Sequence, residues 1–197
     1  MKYNISKFLI IFIFLIFSKS EIINAKTDEE FFLGNKDAKI TVIEYASMTC
    51  VHCANFHKQV YPKIKKNYID TNKIKFIFRD FPLDKQALFA SVLAKCAPKD
   101  KYFDFVKLIL TNQKKWISND DAFMNKLQHI GKLAGLNENK INSCFKDEKL
   151  VDNIIKTRSI GEKKYNINST PTLIINEKKY SAMSYENFEK IIENLIN

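Results

Sequence analysis

The run Ile40-Thr41-Val42-Ile43-Glu44-Tyr45 is apolar on both faces except at Glu44, which shares its face with Ile40 and Val42. Such a run predicts a central strand covered on both sides. Phe56, Val60 and Ile64 then recur at helical spacing, and Pro62, which cannot donate to the carbonyl four residues back, predicts a kink or pause before the helix runs on to about Tyr68. Ile74-Lys75-Phe76-Ile77-Phe78 reads as a second strand. Strand, crossover helix and strand together predict a right-handed parallel unit.

From Asp84 to Tyr165 the pattern turns helical, over Ala87 to Ala97, Tyr102 to Thr111, then Phe123, Leu127, Ile130 and Ala134, then Leu150, Val151, Ile154 and Ile155. This predicts a block of four or five short helices, its stripes being packing faces rather than a cofactor box, with Ser118 and Asp121 as a capping box. Thr172-Leu173-Ile174-Ile175 is a further strand, with a partner beginning at Glu177-Lys178-Lys179-Tyr180 across a turn at Asn176-Glu177. Phe188, Ile191, Ile192, Leu195 and Ile196 close the chain as a helix N-capped by Ser184. Lys26 to Lys39 is polar, turns at Gly34 and Asn35, and is too short for another domain. The class is α/β, with a helical insertion at about 84–165 between the second and third strands and no internal repeat.

The first residues predict export. Lys2 and Lys7 precede the apolar stretch Phe8 to Phe17, and small residues at Ser18 and Ser20, or at Ala25, offer cleavage sites, which leaves one domain at 26–197. The stretch is short for a bilayer span, though an uncleaved anchor is the alternative. The chain has 32 Lys+Arg against 22 Asp+Glu and stays basic without the signal. Its lysines are scattered among Asn and Ile rather than clustered with aromatics, which describes a lysine-rich surface rather than a nucleic-acid site.

Cys50-Val51-His52-Cys53 stands where the first strand hands over to a helix. The first helical turn presents unpaired N–H groups and the positive end of the dipole, so a thiolate there is stabilised. Cys50 is the expected exposed nucleophile with a lowered pKa, and Cys53, one turn on, its covered partner. The other reading of this spacing is half a zinc site, but Cys96 and Cys144 are isolated and no second Cys-x-x-Cys exists. A c-type haem needs His after Cys53, where Ala54 stands. In an oxidising compartment Cys96 and Cys144 are left to pair with each other as a structural disulfide, two buried free thiols being the alternative.

The element order and Cys50-Val51-His52-Cys53, with Leu33-Gly34-Asn35-Lys36-Asp37-Ala38, Glu44-Tyr45-Ala46-Ser47, Phe78-Arg79-Asp80-Phe81-Pro82-Leu83 and Asn168-Ser169-Thr170-Pro171-Thr172, resemble the thioredoxin fold with a helical insertion, as in the DsbA family of exported thiol-disulfide oxidoreductases. The resemblance implies that Pro171 is a cis proline lying against the active-site disulfide and that the Thr170 backbone pairs with an extended substrate. It implies a periplasmic monomer that needs no organic or metal cofactor, oxidises reduced exported proteins and is reset by a DsbB-type membrane partner. His52 can support the Cys50 thiolate, or be an ordinary exposed helix-start residue. Glu44, a carboxylate in a buried strand, suits a proton relay toward Cys53, or is solvated or capped. His57 is expected to face outward, and it, His129 and Trp116 carry no assigned role. Strongly oxidising members often have Pro where this chain has Val51, so the potential does not carry over. A reductase or isomerase of the same fold, a thiol-based metal carrier and a redox-silent peptide-binding chaperone are the rivals. Isomerases usually add an N-terminal dimerisation module, for which Lys26 to Lys39 leaves no room.

Overall fold

In the computed structural model, which describes residues 30–197, five strands form one sheet. They are β1 (Phe32–Gly34), β2 (Ile40–Ala46), β3 (Ile74–Asp80), β4 (Thr172–Ile175) and β5 (Lys178–Ser181), in the order β1-β3-β2-β4-β5. The export signal expected at residues 1–25 lies outside the described residues. Only β2 and β3 run parallel, with Ile40 opposite Ile74 and Ala46 opposite Asp80. The pattern-based reading has no β1, so the insertion predicted between the second and third strands lies between β3 and β4. β1 is three residues pairing with β3 alone, too short for a visible alternation. It ends at Gly34 with φ at +82°, where a Cβ would stand 2.2 Å from the Ile74 carbonyl oxygen, so only glycine fits.

The alternation along β2 divides the core. Ile40, Val42 and Ala46 face one cluster with Phe76, Phe78, Leu173 and Ile175 of the neighbouring strands. That side is covered by α1 (Val51–Gln59), α4 (Tyr102–Thr111) and α9 (Tyr185–Ile196), through Phe56, Phe105, Ile109, Phe188 and Ile192. On the other face Ile43, Tyr45, Ile77 and Ile174 meet Tyr165, the last residue of α8 (Glu148–Tyr165). The first helix does pause: α1 stops at Gln59, α2 (Tyr61–Ile64) restarts with Pro62 in its first turn, and one π turn spans Lys65–Ile69. The donor that proline lacks is one a helix start does not use.

The insertion also contains α3 (Lys85–Lys95), α5 (Gln113–Trp116), α6 (Ala122–Leu133) and α7 (Glu138–Phe145). The Ser118–Asp121 capping box does not form; Ser118 bonds to Asp120, whose carboxylate accepts the Ala122 N–H. Ser184 caps α9 through the Asn187 N–H, and Asn176 and Glu177 turn between β4 and β5 with positive φ. Cys96, at the end of α3, is joined to Cys144 of α7 in a disulfide that packs with Val92 and Ile154. Replacing both by Ala is expected to lower unfolding stability by about 2–4 kcal/mol in urea, since the bridge closes a long loop, while the Cys50 titration stays unchanged. An unchanged urea midpoint would show that the bridge does not constrain the unfolded chain.

Candidate active site

β2 ends at Ala46, and the loop from Ser47 to Cys50 leads into α1. The Ser47 hydroxyl accepts the Leu83 N–H at 3.3 Å and pairs with the Thr49 hydroxyl at 3.2 Å. Thr49 in turn donates to Asp84 at 2.7 Å, and the other oxygen of Asp84 caps α3. The segment after β3 thus holds the loop from one side. Cys50 is the N-cap of α1: its Sγ accepts the Cys53 N–H at 3.4 Å and donates to the Thr170 carbonyl at 3.2 Å. The Thr170–Pro171 peptide is cis, and both Cys50 and Cys53 are free thiols. Val51 and Leu83 are exposed apolar side chains on the segments that build this site, 62% and 48% accessible.

The two sulfurs are electrostatically opposite. The Cys50 thiol is lowered to about 5, first because the Cys53 thiol donates to its thiolate, then through Thr170 and the Cys53 and His52 backbone N–H groups, all against the upward pull of burial. The Thr170 hydroxyl is buried and has no partner among the described residues in this dithiol form, so it can turn to a thiolate at Cys50. Cys53 is fully buried, and its thiol is pushed far up by desolvation, by its bond to Cys50 and by the negative charge of Glu44. At neutral pH the pair is therefore one thiolate and one thiol.

His52 is exposed on the first turn and reaches Cys50 through its backbone. The outward orientation read for His57 is wrong: its ring is 2% exposed, and Nε2 lies 2.9 and 3.1 Å from the two oxygens of the fully buried Glu44. It stacks on Tyr61 with ring centroids 4.7 Å apart. Cys53 and His57 are one helical turn apart, so the same inward face of α1 carries both. Glu44 supplied the missing signal, because a carboxylate in the middle of an apolar strand needs a buried partner. Trp116 is wholly buried and donates from Nε1 to the Ile109 carbonyl, whereas His129 is exposed on α6. Gln113, absent from the sequence reading, reaches the active-site loop from α5 with bonds to the Met48 and Cys50 carbonyls. Among the described residues no group of three or more His, Cys, Asp or Glu is placed to hold a metal ion, and no helix is long and apolar enough to cross a membrane.

A Cys-x-x-Cys opening the first helix, a cis proline beside its first sulfur and a helical block inserted into the sheet define a thioredoxin-fold dithiol protein. Residues 26–194 match the sequence profile described as thioredoxin, and the chain belongs to that family, on its DsbA-like branch. It is 35% identical to Wolbachia pipientis alpha-DsbA1, with a TM-score of 0.80 over 85% of this chain and 91% of that one. A Rickettsia bellii protein bearing a protein-disulfide oxidoreductase name is 36% identical over 173 residues, 87% of this chain and 66% of that protein. Disulfide bond formation protein D of Bacillus subtilis is 26% identical over 82% of this chain and 74% of its own length. The chain thus spans just under two thirds of the length of the Rickettsia relative.

Proposed function

We propose that this chain is an exported thiol-disulfide oxidoreductase that donates the Cys50–Cys53 disulfide to reduced proteins in the periplasm. The observation that carries the reading is the asymmetry of the pair, an accessible thiol lowered to about 5 beside a buried one pushed up. Stabilising the thiolate favours the dithiol and makes the disulfide oxidising. A substrate thiolate attacks Cys50 Sγ, the S–S bond breaks, and Cys53 leaves with the electron pair and takes up a proton. A second substrate thiol, deprotonated, attacks the substrate sulfur of the mixed disulfide, and Cys50 leaves as the thiolate it is built to be. The substrate has lost two electrons and gained its disulfide; the protein is the dithiol.

Glu44, hydrogen-bonded to His57 behind Cys53, is the group we assign to exchange the Cys53 proton. The Thr170 backbone, beside Cys50, is suited to pair with an extended substrate, which gives broad specificity, and a DsbB-type membrane protein is the proposed reoxidant. The test is the reduction potential of the Cys50–Cys53 couple against glutathione. A value near the reference of about −120 mV for a strong oxidant is expected; one near the thioredoxin reference of about −270 mV would replace the reading with an exported reductase. Val51 in place of the Pro often found in oxidising members is the feature that favours that second reading. A metal carrier would instead bind copper or zinc stoichiometrically in its dithiol form and show no disulfide exchange.

A further inference from the structure

The active-site loop is clamped from two sides. Ser47, Thr49 and Asp84 form one clamp, at the point where the chain leaves β3 and enters the insertion. The other comes from the interior of the insertion. Gln113, 8% exposed, opens α5 and donates its side-chain amide to two main-chain carbonyls 65 and 63 residues earlier, Met48 at 2.8 Å and Cys50 at 2.9 Å. An NH₂ group has two hydrogens, and both are used. The bonded carbonyls lie on either side of Thr49, so the amide fixes the path by which the chain enters α1. The Cys50 carbonyl also accepts the Ala54 N–H at 3.1 Å, the first bond of the α1 ladder. Gln113 is in turn anchored: its carbonyl accepts the Ile117 N–H, and the buried Trp116 holds α5 to α4 through the Ile109 carbonyl.

Whether the Cys50 sulfur sits over the Cys53 N–H depends on the orientation of this one turn, because the hydrogen bonds and dipole of a helix start act only within it. We propose that Gln113 is a positioning residue through which the helical insertion sets the reactivity of Cys50, an inference that rests on the redox reading of the Cys50–Cys53 pair. Gln113 does so through the backbone alone. Asp84 already presents a carboxylate to the loop through Thr49, and the charge of Glu44 is felt at Cys53. A neutral donor at Gln113 adds no competing charge, and by holding the Cys50 carbonyl it keeps the first turn of α1 in the orientation that aims the Cys53 N–H at the sulfur.

The test compares wild type with Gln113→Met, which keeps length and removes both donors, and Gln113→Glu, which keeps shape but presents a carboxylate. Thiolate absorbance of the dithiol form gives the Cys50 titration, equilibration with glutathione gives the redox constant, and urea unfolding is run on both redox forms. Gln113→Met is expected to raise the Cys50 midpoint by about one pH unit and shift the glutathione equilibrium about tenfold toward the disulfide. Gln113→Glu is expected to move both further, since its charge opposes the thiolate. A packing role alone would weaken both redox forms equally and leave midpoint and equilibrium within about twofold of wild type, which overturns the proposal. Should Gln113→Met fail to fold, Gln113→Asn, which keeps an uncharged amide but is one methylene shorter and cannot hold both carbonyls, decides by the same criteria. If wild type itself does not exchange with glutathione, the redox reading falls, while the thiolate titration still reports on Gln113.

Discussion

Given oxidised glutathione, Cys53→Ser is expected to accumulate a mixed disulfide on Cys50, whereas Cys50→Ser stays unmodified and catalyses no exchange above the protein-free rate. Intact mass and a disulfide-exchange assay read both outcomes. With its thiol lowered to about 5, Cys50 is almost entirely thiolate at neutral pH, roughly thirtyfold more than an ordinary thiol offers. It attacks glutathione disulfide and expels one glutathione thiolate. In the wild type Cys53 then attacks Cys50 and releases the second glutathione; serine cannot. Cys53 does not take over in Cys50→Ser, because it is fully buried and its thiol is pushed far up. Glu44→Gln is expected to fall between the two: Cys50 titrates as in wild type, but release of the mixed disulfide slows by about tenfold or more, since Cys53 loses the base that takes its proton. Modification of Cys53 in Cys50→Ser at a rate like that of Cys50 would contradict the assignment of nucleophile.

What could be read in advance follows from how local each signal is. β2 and β4 declare themselves because burial on both faces needs an unbroken apolar run, and the Cys-x-x-Cys because its chemistry is set by the helix start it occupies. β1 has three residues and one partner, which leaves no period to detect. α7 buries only Ile141 and Cys144, too few to mark a face. His57 was misplaced by its polarity, although its position on α1, a turn beyond Cys53, carried the answer. A helix residue's face is fixed by its place in the 3.6-residue period, and a buried Glu44 overrides the preference of histidine for water. Gln113 lay beyond any local signal, since nothing near it in sequence distinguishes it from a surface glutamine; its role exists only once the insertion folds back on the loop.

The reduced protein should gain stability over the oxidised one as pH rises from about 5 toward about 9. In the unfolded chain Cys50 is an ordinary thiol; in the folded dithiol it is lowered to about 5, where the Cys53 thiol, Thr170 and the helix-start N–H groups hold its thiolate. A lowered native pKa means that between these values the unfolded state holds a proton the folded state has lost. The contribution is therefore complete above the ordinary thiol value, shrinks as pH falls, and vanishes below the native one. The disulfide form has no such group, so the stability difference between redox forms should climb by up to about 1.4 kcal/mol per pH unit inside the window and flatten at its acid end. Above the window Cys53 takes over with the opposite sign, because its native thiol stays protonated while the unfolded one ionises. Urea unfolding of both forms across this range reads the slope. The same window ties the site to its chemistry: the folded dithiol is most stabilised relative to the disulfide where Cys50 is a thiolate, so the drive to pass the disulfide to an ordinary thiol grows toward the alkaline side of the window. A redox stability difference that does not change with pH, or a Cys50 midpoint near the ordinary thiol value, would mean that the helix start and the Cys53 thiol do not hold the thiolate, and with that the drive to donate the disulfide would have to come from elsewhere in the fold.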